Sequence, residues 1–229
     1  MIKRLFDILL AAVACAILLV FFIPFAILIK LDSPGPIFFR QQRLGRLGYT
    51  INVLKLRTMH VNAEAIFNAD GSRYVGQRDP RITRMGYFLR TGFDELTQVY
   101  NVLRGEMSFI GPRPDDLFSV HNLEGAEWLK LSVRPGITGL AQLTGRNDLP
   151  WKERLRYDVY YAKNRTLMLD LRITARTLGV LFKRENPQPL VARDVINAFF
   201  ARPELKAEAA QLQAMVMQRR PRDPRNQVA

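Results

Sequence analysis

An uninterrupted apolar run from Ile8 to Ile29, with Pro24 inside it and basic residues on both flanks, constrains this chain more than any other feature. A helix crosses a bilayer's hydrocarbon core with ~20 residues, and this run is long enough to do so. It is too long for the ~7–15 apolar residues of a secretory signal, and Phe21-Phe22-Ile23-Pro24-Phe25 offers no small-residue cleavage site. Lys3 and Arg4 precede the run, while Lys30, Arg40, Arg43 and Arg46 follow it, so an excess of cations on one side does not orient it. Two arrangements stay open on the residues alone. In the default one the helix spans the membrane with a kink at Pro24, where a backbone hydrogen bond is lost and the ring clashes with the preceding turn. In the other, a sharper bend returns the chain to the face it entered, leaving both basic ends on the cytoplasmic side.

The rest of the 229 residues reads as soluble, long enough for one domain with its own core. A net charge of +13 requires acidic partners, and beside a membrane segment these are anionic headgroups and phosphorylated substrates rather than nucleic acid. Cys15 is the single cysteine; it falls within the apolar run as a small hydrophobe, which suits a domain facing the cytoplasm. His60 and His121 lack partners at metal-ligand spacing. No Walker loop or dinucleotide fingerprint occurs, which leaves arginine as the device for gripping phosphate.

The expected fold class is α/β, mostly helical with short strands. Strand-like stretches at 37–39 and 51–56 follow the turn cluster Ser33-Pro34-Gly35-Pro36. Helical spacing then covers Phe93–Leu103, Leu123–Leu131, Trp151–Asn164 and Leu169–Phe182. The linkers hold Gly111-Pro112-Arg113-Pro114 and Arg134-Pro135-Gly136-Ile137-Thr138-Gly139. Further on, Val191–Phe200 and Glu204–Met217 have amphipathic helical patterns and lead into a basic tail from Arg219 to Arg225. This extension reads as extra membrane contact, a subunit interface, or a solvated appendage.

The densest polar cluster runs from Asp79 through Arg90, Asp94 and Glu95 to Arg113. From Phe93 onward, Leu96, Val99, Tyr100 and Leu103 share a helical face and predict a buried stripe. Asp94 and Glu95 then fall in the first turn, where the helix dipole favours a carboxylate and also attracts phosphate. Taken alone, Thr91-x-x-Asp94 reads as a capping box. The neighbouring arginines add a chemical reading, because an ionised carboxylate among cations can attack phosphorus once the substrate's own charge is neutralised.

The string Asp94-Glu95-Leu96-x-Gln98-x-x-Asn101-Val102-Leu103-x-Gly105-x-Met107-Ser108-Phe109-x-Gly111-Pro112-Arg113-Pro114 resembles the central signature of the bacterial sugar transferases, the monotopic phosphoglycosyl transferases. Lys3-Arg4-x-x-Asp7, Lys55-x-Arg57-Thr58-Met59, the Arg134–Gln142 stretch and Gly145-Arg146-Asn147 agree in order and spacing, so the resemblance covers roughly residues 1–185. It implies a small monotopic membrane enzyme with a re-entrant helix-break-helix over 1–32 and a compact catalytic domain over 33–186 on the cytoplasmic face of the bacterial inner membrane; residues 187–229 form an extension outside the resemblance.

The implied activity moves a sugar 1-phosphate from a nucleotide diphosphate sugar, usually a uridine one, to a polyprenyl phosphate such as undecaprenyl phosphate. It is the first membrane step of glycoconjugate or exopolysaccharide assembly. By this resemblance Asp94 is the nucleophile of a covalent intermediate, with Glu95 beside it to hold Mg2+ together with Asp94 or to position the reacting groups. Arg90, Arg113 and Arg146 contact phosphate or nucleotide, Pro112 and Pro114 stiffen the Arg113 loop, and Asp158 and Asp170 orient basic partners. Lys3 and Arg4 meet headgroups, and Pro24 makes the break. Downstream glycosyltransferases and a second copy of the chain are compatible partners. The chain departs from the pattern at Ile23, where serine is usual before the proline, at Thr97, where proline is usual, and at Leu140, where tryptophan is usual. A catalytically inactive assembly protein of the same fold, or another membrane phosphotransferase, would share the coarser features.

Overall fold

The computed structural model describes residues 2–64, 66, 79–144, 149–183 and 189–219. Helix α1 (Ile2–Asp32) is continuous, with Pro24 inside it rather than between two helices. Its inward stripe follows three- and four-residue steps: Asp7, Ala11, Ala14, Phe25 and Ile29 are buried, with Leu18 and Phe22 partly buried between them. The opposite face is apolar and bare, with Leu9, Val13, Leu19, Val20, Ile23 and Leu31 each more than half exposed. The helix is long and apolar enough to cross a membrane, and an apolar face of this size is an interaction surface.

Both ends of α1 are tied to the same domain. At the start, Lys3 Nζ lies 2.9 Å from Asp170, and Arg4 donates to the carbonyls of Val102 and Leu103. The Asp7 carboxylate accepts from Ser108 Oγ at 2.8 Å and from the Phe109 N–H at 2.9 Å. At the far end the buried Arg57 guanidinium donates to the carbonyls of Ser33 (2.7 Å) and Pro34 (2.6 Å), satisfying groups that a helix C-terminus leaves without partners. Asp32 in turn accepts from the Met85 N–H at 2.7 Å.

Strands β1 (Phe38–Leu44) and β2 (Thr50–Leu56) form an antiparallel hairpin with Phe38 opposite Leu56 and Leu44 opposite Thr50. After α2 (Arg84–Leu89), a 3-10 helix over Phe93–Gln98 continues into α3 (Val99–Leu103). The buried stripe expected here holds at Leu96 and Val99 and is corrected at Tyr100 and Leu103. Tyr100 and Leu103 face outward at 49% and 47% exposure, while Thr97, Gln98 and Asn101 are buried. The cause is β2, whose outer edge has no strand partner. Asn101 accepts from the Leu54 N–H and donates to the Asn52 carbonyl, and Thr97 donates to the Leu54 carbonyl.

Strands β3 (Ser108–Ile110) and β4 (Gly136–Thr138) pair in parallel, an element that sequence spacing does not announce. The stretch expected as a helix at Leu123–Leu131 is a 3-10 helix over Gly125–Ser132. Helices α4 (Trp151–Asn164) and α5 (Leu167–Lys183) match their expected positions. Helices α6 (Arg193–Phe200) and α7 (Glu204–Arg219) are no appendage. Leu205, Ala209, Leu212 and Val216 of α7 join Leu44, Trp128 and Leu155 in one core cluster, and a side chain at Gly48 would collide with Val216. The basic residues from Arg220 onward lie outside the described residues.

Candidate active site

Gly92, with φ of +134°, turns the chain from α2 into the 3-10 helix that carries Asp94 and Glu95, a conformation that glycine adopts freely. The Thr91 hydroxyl donates to the Phe88 carbonyl at 2.8 Å instead of capping that helix, so the capping box does not form. Asp94 is 8% exposed, and among the described residues no donor lies within hydrogen-bond reach of its carboxylate. Burial pushes its pKa up to about 6, against the pull of Lys55, Arg113 and Arg90.

Glu95 is handled in the opposite way. Its Oε1 accepts from Lys55 Nζ at 3.0 Å and from Arg113 Nη2 at 2.7 Å. Burial alone would raise its pKa, but the two cations hold it well below the usual carboxylate range. Glu95 raises the Arg113 pKa in return, while burial lowers that of Lys55. The result is a pair of cations held by Glu95 beside an acid that has no ion-pair partner among the described residues.

Arg113 owes its place to a crossing of two linkers. The Gly136 N–H donates to the Pro112 carbonyl at 2.8 Å, and the Gly111 N–H donates to the Thr138 carbonyl at 2.9 Å. A Cβ at Gly136 would sit 2.1 Å from the Gly111 nitrogen, and one at Gly139 would sit 2.1 Å from its oxygen, so the backbones touch where no side chain fits. Pro112 and Pro114 flank Arg113 in this loop. Just beyond, Asp115 accepts from the buried Lys130 at 2.5 Å, and Lys130 reaches Asp158 at 3.0 Å.

The expected site residues therefore separate. Asp94, Glu95 and Arg113 come together, and Arg90, at the end of α2, acts on Asp94 electrostatically with no hydrogen-bond or ion-pair partner for its guanidinium among the described residues. Arg146 lies outside the described residues. Asp158 holds Lys130, and Asp170 holds Lys3 and accepts from the Tyr161 hydroxyl at 2.7 Å, so both aspartates have basic partners away from the Asp94 carboxylate. Lys3 and Arg4 are likewise engaged by protein atoms rather than left free for headgroups.

Lys55 and Lys130 carry weight that spacing alone did not assign them. Their available signals were the Lys55-x-Arg57 stretch, and a lone lysine set between the apolar Leu129 and Leu131.

A family profile described as bacterial sugar transferase matches residues 1–184. A "UDP-glucose:undecaprenyl-phosphate glucose-1-phosphate transferase" of Caulobacter vibrioides is 39% identical over 195 residues, covering 80% of this chain and 71% of that protein. The "Exopolysaccharide production protein PSS" of Rhizobium leguminosarum bv. phaseoli is 40% identical over 188 residues, covering 77% of this chain and 92% of the relative. A "UDP-galactose-lipid carrier transferase" of Erwinia amylovora is 36% identical over 195 residues, which is 80% of this chain but only 41% of that longer protein.

Proposed function

We propose, from the premise that this chain belongs to the bacterial sugar transferase family, that it passes a sugar 1-phosphate from a uridine diphosphate sugar to polyprenyl phosphate for exopolysaccharide assembly. The observation that carries this reading is Asp94, a buried carboxylate with no hydrogen-bond donor among the described residues, set beside Arg113, Lys55 and Arg90.

The chemistry follows from that contrast. Above about pH 6 Asp94 is ionised and, being neither hydrogen-bonded nor capped, keeps its lone pairs for attack. The nearby cations receive the donor's diphosphate and neutralise the charge that would repel the carboxylate. Asp94 forms a bond to the sugar-bearing phosphorus, and the bond from that phosphorus to the uridine monophosphate oxygen breaks with its electrons on the leaving phosphate. An acceptor phosphate oxygen then attacks the same phosphorus, and the Asp94 carboxylate leaves. The products are uridine monophosphate and a polyprenyl diphosphate sugar. Glu95, already anionic, orients Arg113 and Lys55 throughout.

The donor set fits Mg2+ in a limited way. Asp94 and Glu95 supply at most two of its ligand groups, with Glu95 already shared between two cations, so the remaining ligands would be substrate phosphate oxygens and water. An ion bound there would screen the phosphate oxygens.

The reading places α1 as a monotopic, re-entrant wedge on the cytoplasmic face of the inner membrane. A straight helix of this length measures ~46 Å, more than the ~30 Å hydrocarbon core. Its contacts with one domain from Asp7 to Ile29, and at both ends, support insertion from one side, with Pro24 as the position for a bend.

Release of uridine monophosphate from a panel of uridine diphosphate sugars, with and without polyprenyl phosphate, tests the activity. Acceptor-dependent turnover with one sugar is expected, and no release with any nucleotide sugar would overturn it. Cysteine labelling at positions 2 and 31 from each side of sealed vesicles tests the wedge. Both sites should react from the cytoplasmic side, and reaction from opposite sides would restore a spanning helix.

A further inference from the structure

The Phe88 and Phe93 rings lie parallel, with centroids 5.4 Å apart and planes 16° from each other. Beneath them the buried Phe25 meets both edge-on, at 6.1 and 5.4 Å, and Phe21 stacks on Phe25 at 5.8 Å. The upper surface of this group is open, since Phe88 is 49% and Phe21 44% exposed. One side of the platform continues into the bare apolar face of α1. The two rings sit on the elements that carry the charged groups: Phe88 lies on α2, whose end is Arg90, and Phe93 opens the 3-10 helix that carries Asp94.

An apolar platform on elements that carry a guanidinium and a carboxylate, both without hydrogen-bond partners among the described residues, suits a long-chain phosphate. Aromatic faces take the methyl-branched, unsaturated chain of an isoprenoid by dispersion and C–H contact, with no hydrogen bond required. We propose that the Phe88–Phe93 pair, with Phe21 and Phe25 behind it, seats the first isoprenyl units of the acceptor lipid and so delivers its phosphate between Arg90 and Asp94. This assignment rests on the polyprenyl phosphate acceptor proposed above. It makes Phe88 and Phe93 specificity residues for the chain and not for the sugar.

Acceptor kinetics of the full-length protein in mixed micelles test the seat, using a C55 polyprenyl phosphate and matched isoprenyl and saturated alkyl phosphates of equal length. Phe88→Ala should raise the acceptor KM about tenfold, equivalent to ~1.4 kcal/mol, and leave the donor KM unchanged. Wild-type protein should prefer the isoprenyl over the saturated chain, and the variant should lose that preference. Phe88→Leu, which keeps apolar volume without a flat face, should rise less in KM yet also lose the preference, so the idea is testable even if the alanine variant folds poorly.

An unchanged acceptor KM in both variants, or a wild-type enzyme indifferent to unsaturation, would overturn the seat while leaving the activity intact. Reduced vesicle binding with an unchanged acceptor KM would also overturn it, assigning Phe88 to bulk lipid. Wild-type protein with no polyprenyl phosphate-dependent turnover would overturn the functional reading and the seat together.

Discussion

Asp7 and Asp94 are both buried aspartates in one small domain, at 1% and 8% exposure, and their surroundings differ in kind. Asp7 accepts from the Ser108 hydroxyl and the Phe109 N–H, and Lys3 sits 3.4 Å away. Asp94 accepts from no donor among the described residues. The Asp94 oxygens are not sealed in the core, unlike the unpartnered Asp158 Oδ1, so they open onto the site, and burial of the side chain as a whole is what raises the pKa. Asp7 holds α1 to the strand leading into the Arg113 loop, whereas Asp94 is left without a donor among the described residues.

The largest expected effect separates the two directly. Asp94→Asn should lower sugar-phosphate transfer by about 10⁴-fold, measured as nucleoside monophosphate release. It should also raise the melting temperature at pH 8. The folded-state pKa of about 6 lies above the ordinary 3.8, so the ionised form costs stability, on the order of 3 kcal/mol, above pH 6. That gain should shrink as pH falls from 6 and vanish below the ordinary carboxylate value. Unchanged stability would mean that Asp94 is as well satisfied as Asp7.

Asp7→Ala should act in the opposite sense, losing about 3 kcal/mol in denaturant titration because Ser108, Phe109 and Lys3 lose a shared acceptor. A loss below ~1 kcal/mol would show that the pairing contributes little.

The pH profile of donor turnover should fall about tenfold per unit below an apparent pKa near 6, as protonation removes the carboxylate proposed to attack phosphorus. A flat profile down to pH 5 would place Asp94 in a better-satisfied environment than its geometry shows.

Val216→Ala, in a purely apolar cluster of α7 beyond the matched family segment, should cost about 1–2 kcal/mol independently of pH and leave the transfer rate of folded protein unchanged. It measures what loss of packing alone does, against which the two aspartates can be read.

Much of this arrangement was legible in the residues, and what escaped did so for physical reasons. The helix boundaries at Trp151–Asn164 match the apolar spacing because that helix buries one ordinary face. Half of the Phe93–Leu103 stripe holds, with Val99 buried and Leu96 packed against the same core, and the other half fails because spacing counts apolar residues and assumes that water lies outside. Here Tyr100 and Leu103 point outward near α1, and Asn101 and Thr97 turn inward to satisfy a strand edge remote in sequence. Asp94 and Glu95 stood out as a pair, but their division into a free and a held carboxylate depends on Lys55, some 40 positions away. The parallel pairing of β3 with β4 was hidden because each strand is three residues long, too short for a period to show.

The central claim is that the Asp94 carboxylate, open at the site and without a donor among the described residues, is the group that forms the bond to phosphorus. Intact-protein mass spectrometry after incubation with the donor sugar, in the absence of polyprenyl phosphate, tests it most directly. A mass increase equal to one sugar phosphate, mapping to Asp94, absent in Asp94→Asn and discharged on adding the lipid acceptor, is the predicted result. Transfer at full rate with no adduct at any time, or an adduct that persists in Asp94→Asn, would contradict it.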